Sequence, residues 1–359
     1  MQTNVSAFRA MFGLMFALAL ACGPPQRFAD DDTAEVDTDT DSDSDTDTDS
    51  DSDTDSDSDT DSDSDTDSDS DTDAETDTGI DAKAYTLVSG GYAHSCALDF
   101  AGGIACWGAG PGSVFNFGQV TLTPPGTGYT ALAAGYLHNC AIDSSGAIEC
   151  WGSDDENQVS DAPPGTGYTA VSAGTKHSCA LDTEGGVHCW GGNEFGQTVN
   201  LPDAPSTAVV AGLVHTCALD TEGGIYCWGN DSNGQISEAP EGNRYAALFG
   251  EGNGYATCAI DLQGAITCWG GDTHGRVSDT PSGNDFVAVS LGYFHVCALD
   301  TAGRIDCWGL DNYGRLSGAP AGGEKTALGA GGQHSCALDS SGNIKCWGWD
   351  EDGQVSDAP

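Results

Sequence analysis

Positive charge is what this chain has least of. Among 359 residues, 10 Lys plus Arg stand against 56 Asp plus Glu, a formal charge of −46. Nucleic acid is bound by displacing counterions with a basic footprint, so no nucleic-acid partner is expected, and charge attraction to anionic membranes is excluded on the same ground. Long apolar runs are missing too. One apolar stretch is Ala10–Ala21, and twelve helical residues rise only about 18 Å against a hydrocarbon core of about 30 Å. No Gly-x-Ser-x-Gly, phosphate-binding loop or zinc-binding helix pattern occurs. No catalytic residue, cofactor or metal site is therefore assigned, and the chain is not expected to be an enzyme.

Residues 1–21 join one cation, Arg9, to that apolar stretch and read as a signal peptide. The stretch closes Ala19-Leu20-Ala21 before Cys22. This resembles the cleavage box of bacterial lipoproteins, although Leu20 stands two residues before the Cys where such boxes usually have Leu three before. The resemblance implies lipidation of Cys22 and an outer-membrane or cell-surface location; plain secretion after Ala21 is the alternative. Residues 30–81 then hold 26 of the 56 acids and no Lys or Arg, and residues 37–73 alternate Asp with Ser or Thr without a break. With nothing apolar to bury and a dense like charge, residues 22–84 are expected to form a disordered, self-repelling stalk. Its carboxylates attract cations but define no coordination cage.

Residues 85–359 are periodic. Fourteen of the fifteen Cys form seven pairs of one spacing: Cys96/Cys106, Cys140/Cys150, Cys179/Cys189, Cys217/Cys227, Cys258/Cys268, Cys297/Cys307 and Cys336/Cys346. Cys22 is the one left over. The first Cys of successive pairs recurs after 44, 39, 38, 41, 39 and 39 residues, the mark of a repeat architecture. Each copy offers four short strand-like pieces between turn residues, the requirement for a propeller blade. In the third copy these are Tyr168–Ala173, His177–Asp182, Val187–Gly191 and a piece around Gln197–Val199.

The register of the second and third pieces can be read directly. If Cys217 faces Cys227, then Ala218 faces Tyr226, Leu219 faces Ile225 and Asp220 faces Gly224, leaving Thr221-Glu222-Gly223 as a three-residue loop. Such a loop favours Gly at its last position, where φ is positive. The Cys pair then falls at a non-hydrogen-bonded site with close Cα atoms, which suits one cross-strand disulfide per blade. Alternation puts Cys217, Leu219 and Ile225 on one face and Ala218, Tyr226 and Trp228 on the other. A sheet apolar on both faces must be covered on both, as in a ring of blades. The recurring Trp107, Trp151, Trp190, Trp228, Trp269, Trp308 and Trp347 read as inter-blade packing.

These residues carry a family resemblance. The third copy reads Gly-x-x-His-x-x-Ala-Leu (Gly174 to Leu181), Gly-Val-x-x-Trp-Gly (Gly186 to Gly191) and Asn-x-x-Gly-Gln (Asn193 to Gln197). The pattern is similar to the repeat of the regulator of chromosome condensation family, a superfamily that also includes bacterial β-lactamase-inhibiting propellers. The resemblance implies an all-β, seven-bladed β-propeller of four-stranded blades. The first copy departs by an insertion, Pro111–Phe115, and the fifth by Ala256 in place of His.

Six copies place a His two residues before the first Cys: His94, His138, His177, His215, His295 and His334. The fifth copy keeps its Cys pair without the His, which argues against a His-thiolate metal site and for structural His bonded to backbone. In a meander, the loops from first to second and from third to fourth strands share one end of the ring. That end varies between copies and is aromatic: Tyr92, Tyr136, Leu137, Leu213, Val214, Tyr255, Tyr293 and Phe294 from the first kind of loop, Phe195, His274, Tyr313 and Trp349 from the second. Clustered aromatics favour recognition of a partner. The expected function is thus a monomeric, surface-displayed or secreted propeller binding a protein or carbohydrate through this face, with the tether leaving from the other. The alternatives are a secreted hydrolase or metal-dependent enzyme and, by family analogy, guanine-nucleotide exchange, which conflicts with export and disulfides.

Overall fold

The computed structural model describes residues 84–252 and 254–359. The signal peptide, Cys22 and the acidic stalk expected before residue 84 lie outside the described residues. Seven antiparallel sheets follow one another along the chain. Blade 1 is β1 (Tyr85–Gly90), β2 (His94–Asp99) and β3 (Ile104–Gly108), and blade 2 is β4 (Tyr129–Ala134), β5 (His138–Asp143) and β6 (Ile148–Gly152). Blade 3 is β7 (Tyr168–Ala173), β8 (His177–Asp182) and β9 (Val187–Gly191), and blade 4 is β10 (Ser206–Ala211), β11 (His215–Asp220) and β12 (Ile225–Gly229). Blade 5 is β13 (Tyr245–Phe249), β14 (Ala256–Asp261) and β15 (Ile266–Gly270). Blade 6 is β16 (Phe286–Leu291), β17 (His295–Asp300) and β18 (Ile305–Gly309), and blade 7 is β19 (Lys325–Ala330), β20 (His334–Asp339) and β21 (Ile344–Gly348).

The expected hairpin register holds in every blade. Cys217 faces Cys227 and Leu219 faces Ile225; the paired Cα atoms lie 4.0 Å apart and the disulfide is formed. The other six are formed as well: Cys96–Cys106, Cys140–Cys150, Cys179–Cys189, Cys258–Cys268, Cys297–Cys307 and Cys336–Cys346, with Cα atoms 4.0 to 4.1 Å apart. Asp220 closes the turn by accepting the N–H groups of Glu222 and Gly224, each at 2.8 Å, and Gly223 takes φ 89°.

Blades have three ladder strands rather than the expected four. The fourth piece folds into a turn because its N–H groups are satisfied locally. In blade 4 the Asp231 carboxylate accepts from Ile236 and Ser237 at 2.8 and 2.9 Å, Gln235 Oε1 accepts from the Asn233 N–H at 2.7 Å, and the Gly234 carbonyl accepts from Glu238. Nothing remains to pair with β12, whose Ile225 and Cys227 direct their backbone groups outward from the ladder. The turn packs instead against the sheet face through Ile236 and Ala239.

The missing fourth strand also corrects the expectation of a sheet fully covered on both faces. The third strand becomes the edge of each blade, and the two halves of a disulfide differ in burial. The first Cys of every pair, on the middle strand, is fully buried. Its partner on the edge strand is half-buried in six blades, at Cys106, Cys150, Cys189, Cys268, Cys307 and Cys346. Cys227 alone of the seven is buried, at 7%.

The core is divided among the seven blade interfaces. Trp228 packs on Cys179, Leu181 and Val187 of blade 3, and Trp269 on Cys217 and Leu219 of blade 4. Each indole N–H donates to a main-chain carbonyl of the preceding unit, for example Trp228 to Gln197 at 2.9 Å. The recurring His is a second clamp, and here the expectation of a backbone partner is corrected. His177 Nε2 meets Thr216 Oγ1 of the next blade at 3.0 Å, and Thr216 donates to the same Gln197 carbonyl at 2.8 Å. His138 with Ser178, His215 with Thr257, His295 with Ser335 and His94 with Asn139 repeat the contact. The interface of blades 5 and 6 lacks both members of the pair, since Ala256 stands where the His would be and Val296 where its partner would be; both are fully buried. The ring closes between blades 7 and 1 in the usual way: His334 meets Ser95 at 2.6 Å, Trp107 donates to the Gln354 carbonyl at 3.0 Å, and Trp107 packs on Cys336 and Leu338.

Candidate functional site

The loops entering the middle strands and those leaving the outer strands emerge at one end of the ring, as a meander requires. Main-chain hydrogen bonds lace them together around the centre. Tyr293 N–H donates to the Gly332 carbonyl, Gly332 N–H to Tyr92, Tyr92 N–H to Tyr136 and Tyr136 N–H to Gly174, at 3.1 to 3.2 Å. The loop of blade 5 reaches past blade 4: Thr175 Oγ1 of blade 3 donates to the Gly252 carbonyl at 2.5 Å. A Cβ at Gly252 would meet the Gly174 carbonyl oxygen at 2.5 Å, so the crossing requires glycine.

On this laced platform several of the sequence-selected aromatics converge. Tyr92 stacks on Tyr136 with ring centroids 4.4 Å apart and lies edge-on to Tyr293 at 6.3 Å. Tyr293 meets Phe294 at 4.5 Å, and Phe294 meets His274 at 5.7 Å. Rings of blades 1 and 6 can meet across blade 7 because blade 7 offers Gly332 there; a Cβ on it would come within 2.6 Å of the Tyr92 ring. Burial, and then the neighbouring Tyr92, push the Tyr136 hydroxyl up to about 12, so it stays a neutral donor. All of these tyrosines and Phe294 are half-buried, leaving one side of the cluster open.

Leu137, Leu213, Val214, Tyr255 and Trp349 sit on the same end, half-buried, with no ring contact among the described residues, and Phe195 is exposed at its margin. Tyr313 is exposed at 63%, and His274 is exposed as well.

Several participants are not singled out by the sequence. Phe115, from the insertion in the first copy, lies edge-on to Tyr92 at 5.2 Å; its signal is the insertion itself. Arg276 and Arg315 occupy the position that is Gln in the other units, and Arg315 lies 5.2 Å from the Phe294 ring centroid and 5.3 Å from that of Tyr313. Glu251 carries a carboxyl whose Oε1 lies 2.5 Å from Ser290 Oγ and whose Oε2 is buried without a partner. Two shallow grooves of about 350 and 510 Å³ flank exposed Tyr226 on blade 4 and share no residue with the aromatic cluster. Among the described residues no group of three or more His, Cys, Asp or Glu is placed to hold a metal ion.

A closed ring of seven disulfide-stapled blades with a laced aromatic end defines a β-propeller. Residues 129–158, 168–197, 207–235, 286–315 and 326–354 match the family model of the regulator of chromosome condensation (RCC1) repeat, and the chain is an RCC1-like propeller. The two units without a match are the first, which has the insertion, and the fifth, which lacks the His. Among solved structures it is similar to the entire ectodomain of the Physcomitrella patens receptor kinase CR4, with 27% identity, TM-score 0.61 and coverage of 74% of this chain and 73% of that one. It is also similar to the CRINKLY WD40 ectodomain of the Arabidopsis thaliana receptor kinase ACR4, with 26% identity, TM-score 0.59 and coverage of 74% and 97%. Likeness to Prp20p of Saccharomyces cerevisiae, at 17% identity, TM-score 0.56 and coverage of 75% and 84%, concerns the fold alone. No curated protein sequence matches the chain. Seven disulfides are a feature of exported proteins, where the compartment is oxidising.

Proposed function

We propose that the protein is an exported binding module, not an enzyme, that takes a protein or carbohydrate partner on its aromatic end. The continuous cluster of half-open rings from Phe115 through Tyr92, Tyr136 and Tyr293 to Phe294 carries this reading. Its backbone is already held by hydrogen bonds between loops, so little ordering remains to oppose association. The six clamp imidazoles are enclosed and bonded to neighbouring blades, which leaves them unsuited to act as bases on a substrate. The similar receptor-kinase propellers are ectodomains, in keeping with display outside a cell. Cys22 would carry the lipid anchor of a bacterial surface lipoprotein, with the acidic stalk as spacer; fatty-acid label retained by Cys22→Ser would refute the anchor. Joint replacement of Tyr136, Tyr293 and Phe294 by Ser should abolish capture of a partner from native envelope or prey lysate while leaving the circular-dichroism spectrum unchanged. Undiminished capture would rule against this face.

A further inference from the structure

Five units end their turn with a buried Gln whose side-chain oxygen accepts the N–H two residues earlier. Gln119, Gln158, Gln197, Gln235 and Gln354 do so from Phe117, Glu156, Phe195, Asn233 and Asp352 at 2.7 to 2.9 Å. Blades 5 and 6 substitute Arg276 and Arg315, and a guanidinium has no acceptor to offer. The residues that lose their partner, His274 and Tyr313, swing to φ 66° and 63°. Side chains rarely adopt that left-handed region, and strain of this kind concentrates at functional sites.

The substitution also buries positive charge. Arg276 and Arg315 are 2% and 1% exposed, and neither joins an ion pair among the described residues. Arg276 finds main-chain acceptors at Thr273 and Gly271, both at 3.2 Å. Arg315 donates Nη2 to Gln333 Oε1 at 2.7 Å, while its Nε and Nη1 are buried without any acceptor. Stacking against Phe294 and Tyr313 offsets part of that loss. The outer of the two rings, Tyr313, stands on a short turn and faces solvent. A neutral Gln at this position satisfies the turn in five other units, so the fold itself does not call for Arg.

We propose that Arg315 anchors a carboxylate-binding site at the mouth beside Tyr313, which receives an acidic side chain of a protein partner. Displacement of the Tyr313 ring opens the guanidinium, the carboxylate supplies the acceptors that Nε and Nη1 lack, and Phe294 remains as the apolar wall. Charge-assisted hydrogen bonds to guanidinium are the strongest available to such a group. The site rests on the aromatic end being the recognition surface and names the chemistry that this end selects. General attraction does not explain it, because the propeller carries 30 acids and 8 bases from residue 82 onward.

The test uses a labelled peptide, Gly-Gly-Trp-Glu-Gly-Gly-amide, and its Gln counterpart, with fluorescence anisotropy on the full chain. A third peptide, Gly-Gly-Trp-Gln with a free C-terminus, separates a terminal carboxylate from a side-chain one. Wild type should favour the Glu peptide over the Gln peptide by about tenfold or more. Arg315→Gln should erase that ratio while melting at or above the wild-type temperature, since the Gln turn is native to five units. Absent binding, equal affinity for the two amides, preference confined to the free C-terminus, or a Glu preference that survives Arg315→Gln each overturns the site. A Tyr136→Ser, Tyr293→Ser double variant, which keeps Phe294 beside Arg315, reports separately: unchanged absolute affinity there refutes the aromatic face, whatever the Glu-to-Gln ratio shows about Arg315.

Discussion

At the scale of single residues, buried titratable groups set how stability should depend on pH. Burial pushes His138, His177, His295 and His334 down to about 3, and His94 and His215 to about 4, from the ordinary 6.5. The folded state therefore holds them neutral. Their contribution is complete above 6.5 and is lost as the pH falls from there toward 3 to 4, at up to about 1.4 kcal/mol per pH unit for each group. Glu251 runs the other way. Burial, opposed in part by Ser290, pushes its carboxyl up to about 8 from 4.5, so its contribution is complete below 4.5 and lost as the pH rises through 8. Thermal melts from pH 4 to 9 should show steep acid destabilisation in wild type, with Glu251→Gln superimposing on it near pH 4.5 and melting higher at pH 8. A variant that melts lower at pH 8 would show that Glu251 is not held neutral. The partner of each clamp His was not legible in the sequence, because it lies about one repeat away in the next blade. A trace was present nonetheless: Ala256 and Val296 remove both members of the pair at the same interface.

At the scale of the element, legibility followed the range of the contacts. Each hairpin is fixed by groups within one short segment, so the Cys register, the three-residue loop and the positive-φ Gly could be read from Cys217 to Cys227 alone. The fourth piece misled because Gln-Ile-Ser alternates like a strand, while Asp231 and Gln235 take up its N–H groups in a turn. The turn acids are thus backbone acceptors. Donation from Ser237 and Ile236 holds Asp231 below the usual carboxylate range, and donation from Ser317 and Leu316 does the same for Asp311. The staple within a hairpin is separable from its turn. Replacing Cys217 and Cys227 together by Ala and Val should lower stability by about 3 kcal/mol on the chain-entropy account, with the register kept by the Asp220 turn and by Trp228. Urea unfolding measures this; an unchanged midpoint would mean that the disulfide adds nothing to an already ordered hairpin.

At the scale of the whole molecule, the question is what closes the ring. Blade 7 comes wholly from residues 325–348 and blade 1 wholly from residues 85–108, so among the described residues no strand from one end completes a blade at the other. Closure depends on the same Trp, His and apolar contacts that join the other blades. The two ends of the described chain are close: Ala358 packs in the closing cluster with Tyr85, and Tyr85 N–H donates to the Gly342 carbonyl at 3.0 Å. Removal of residues 350–359 takes away the Gln354 carbonyl that receives Trp107 and should lower the melting temperature and raise proteolysis at blades 1 and 7 first. Joining Pro359 to Ala84 through a few Gly and Ser residues, with new ends opened between Pro202 and Asp203, moves the covalent gap to another interface that has its own Trp228 and His177 clamps. That permutant should fold and melt close to the wild-type propeller, because exposed loop sites tolerate new ends and the interfaces are near equivalents. Collapse of the permutant, together with a harmless truncation, would show that closure depends on chain order and not on the repeated clamp.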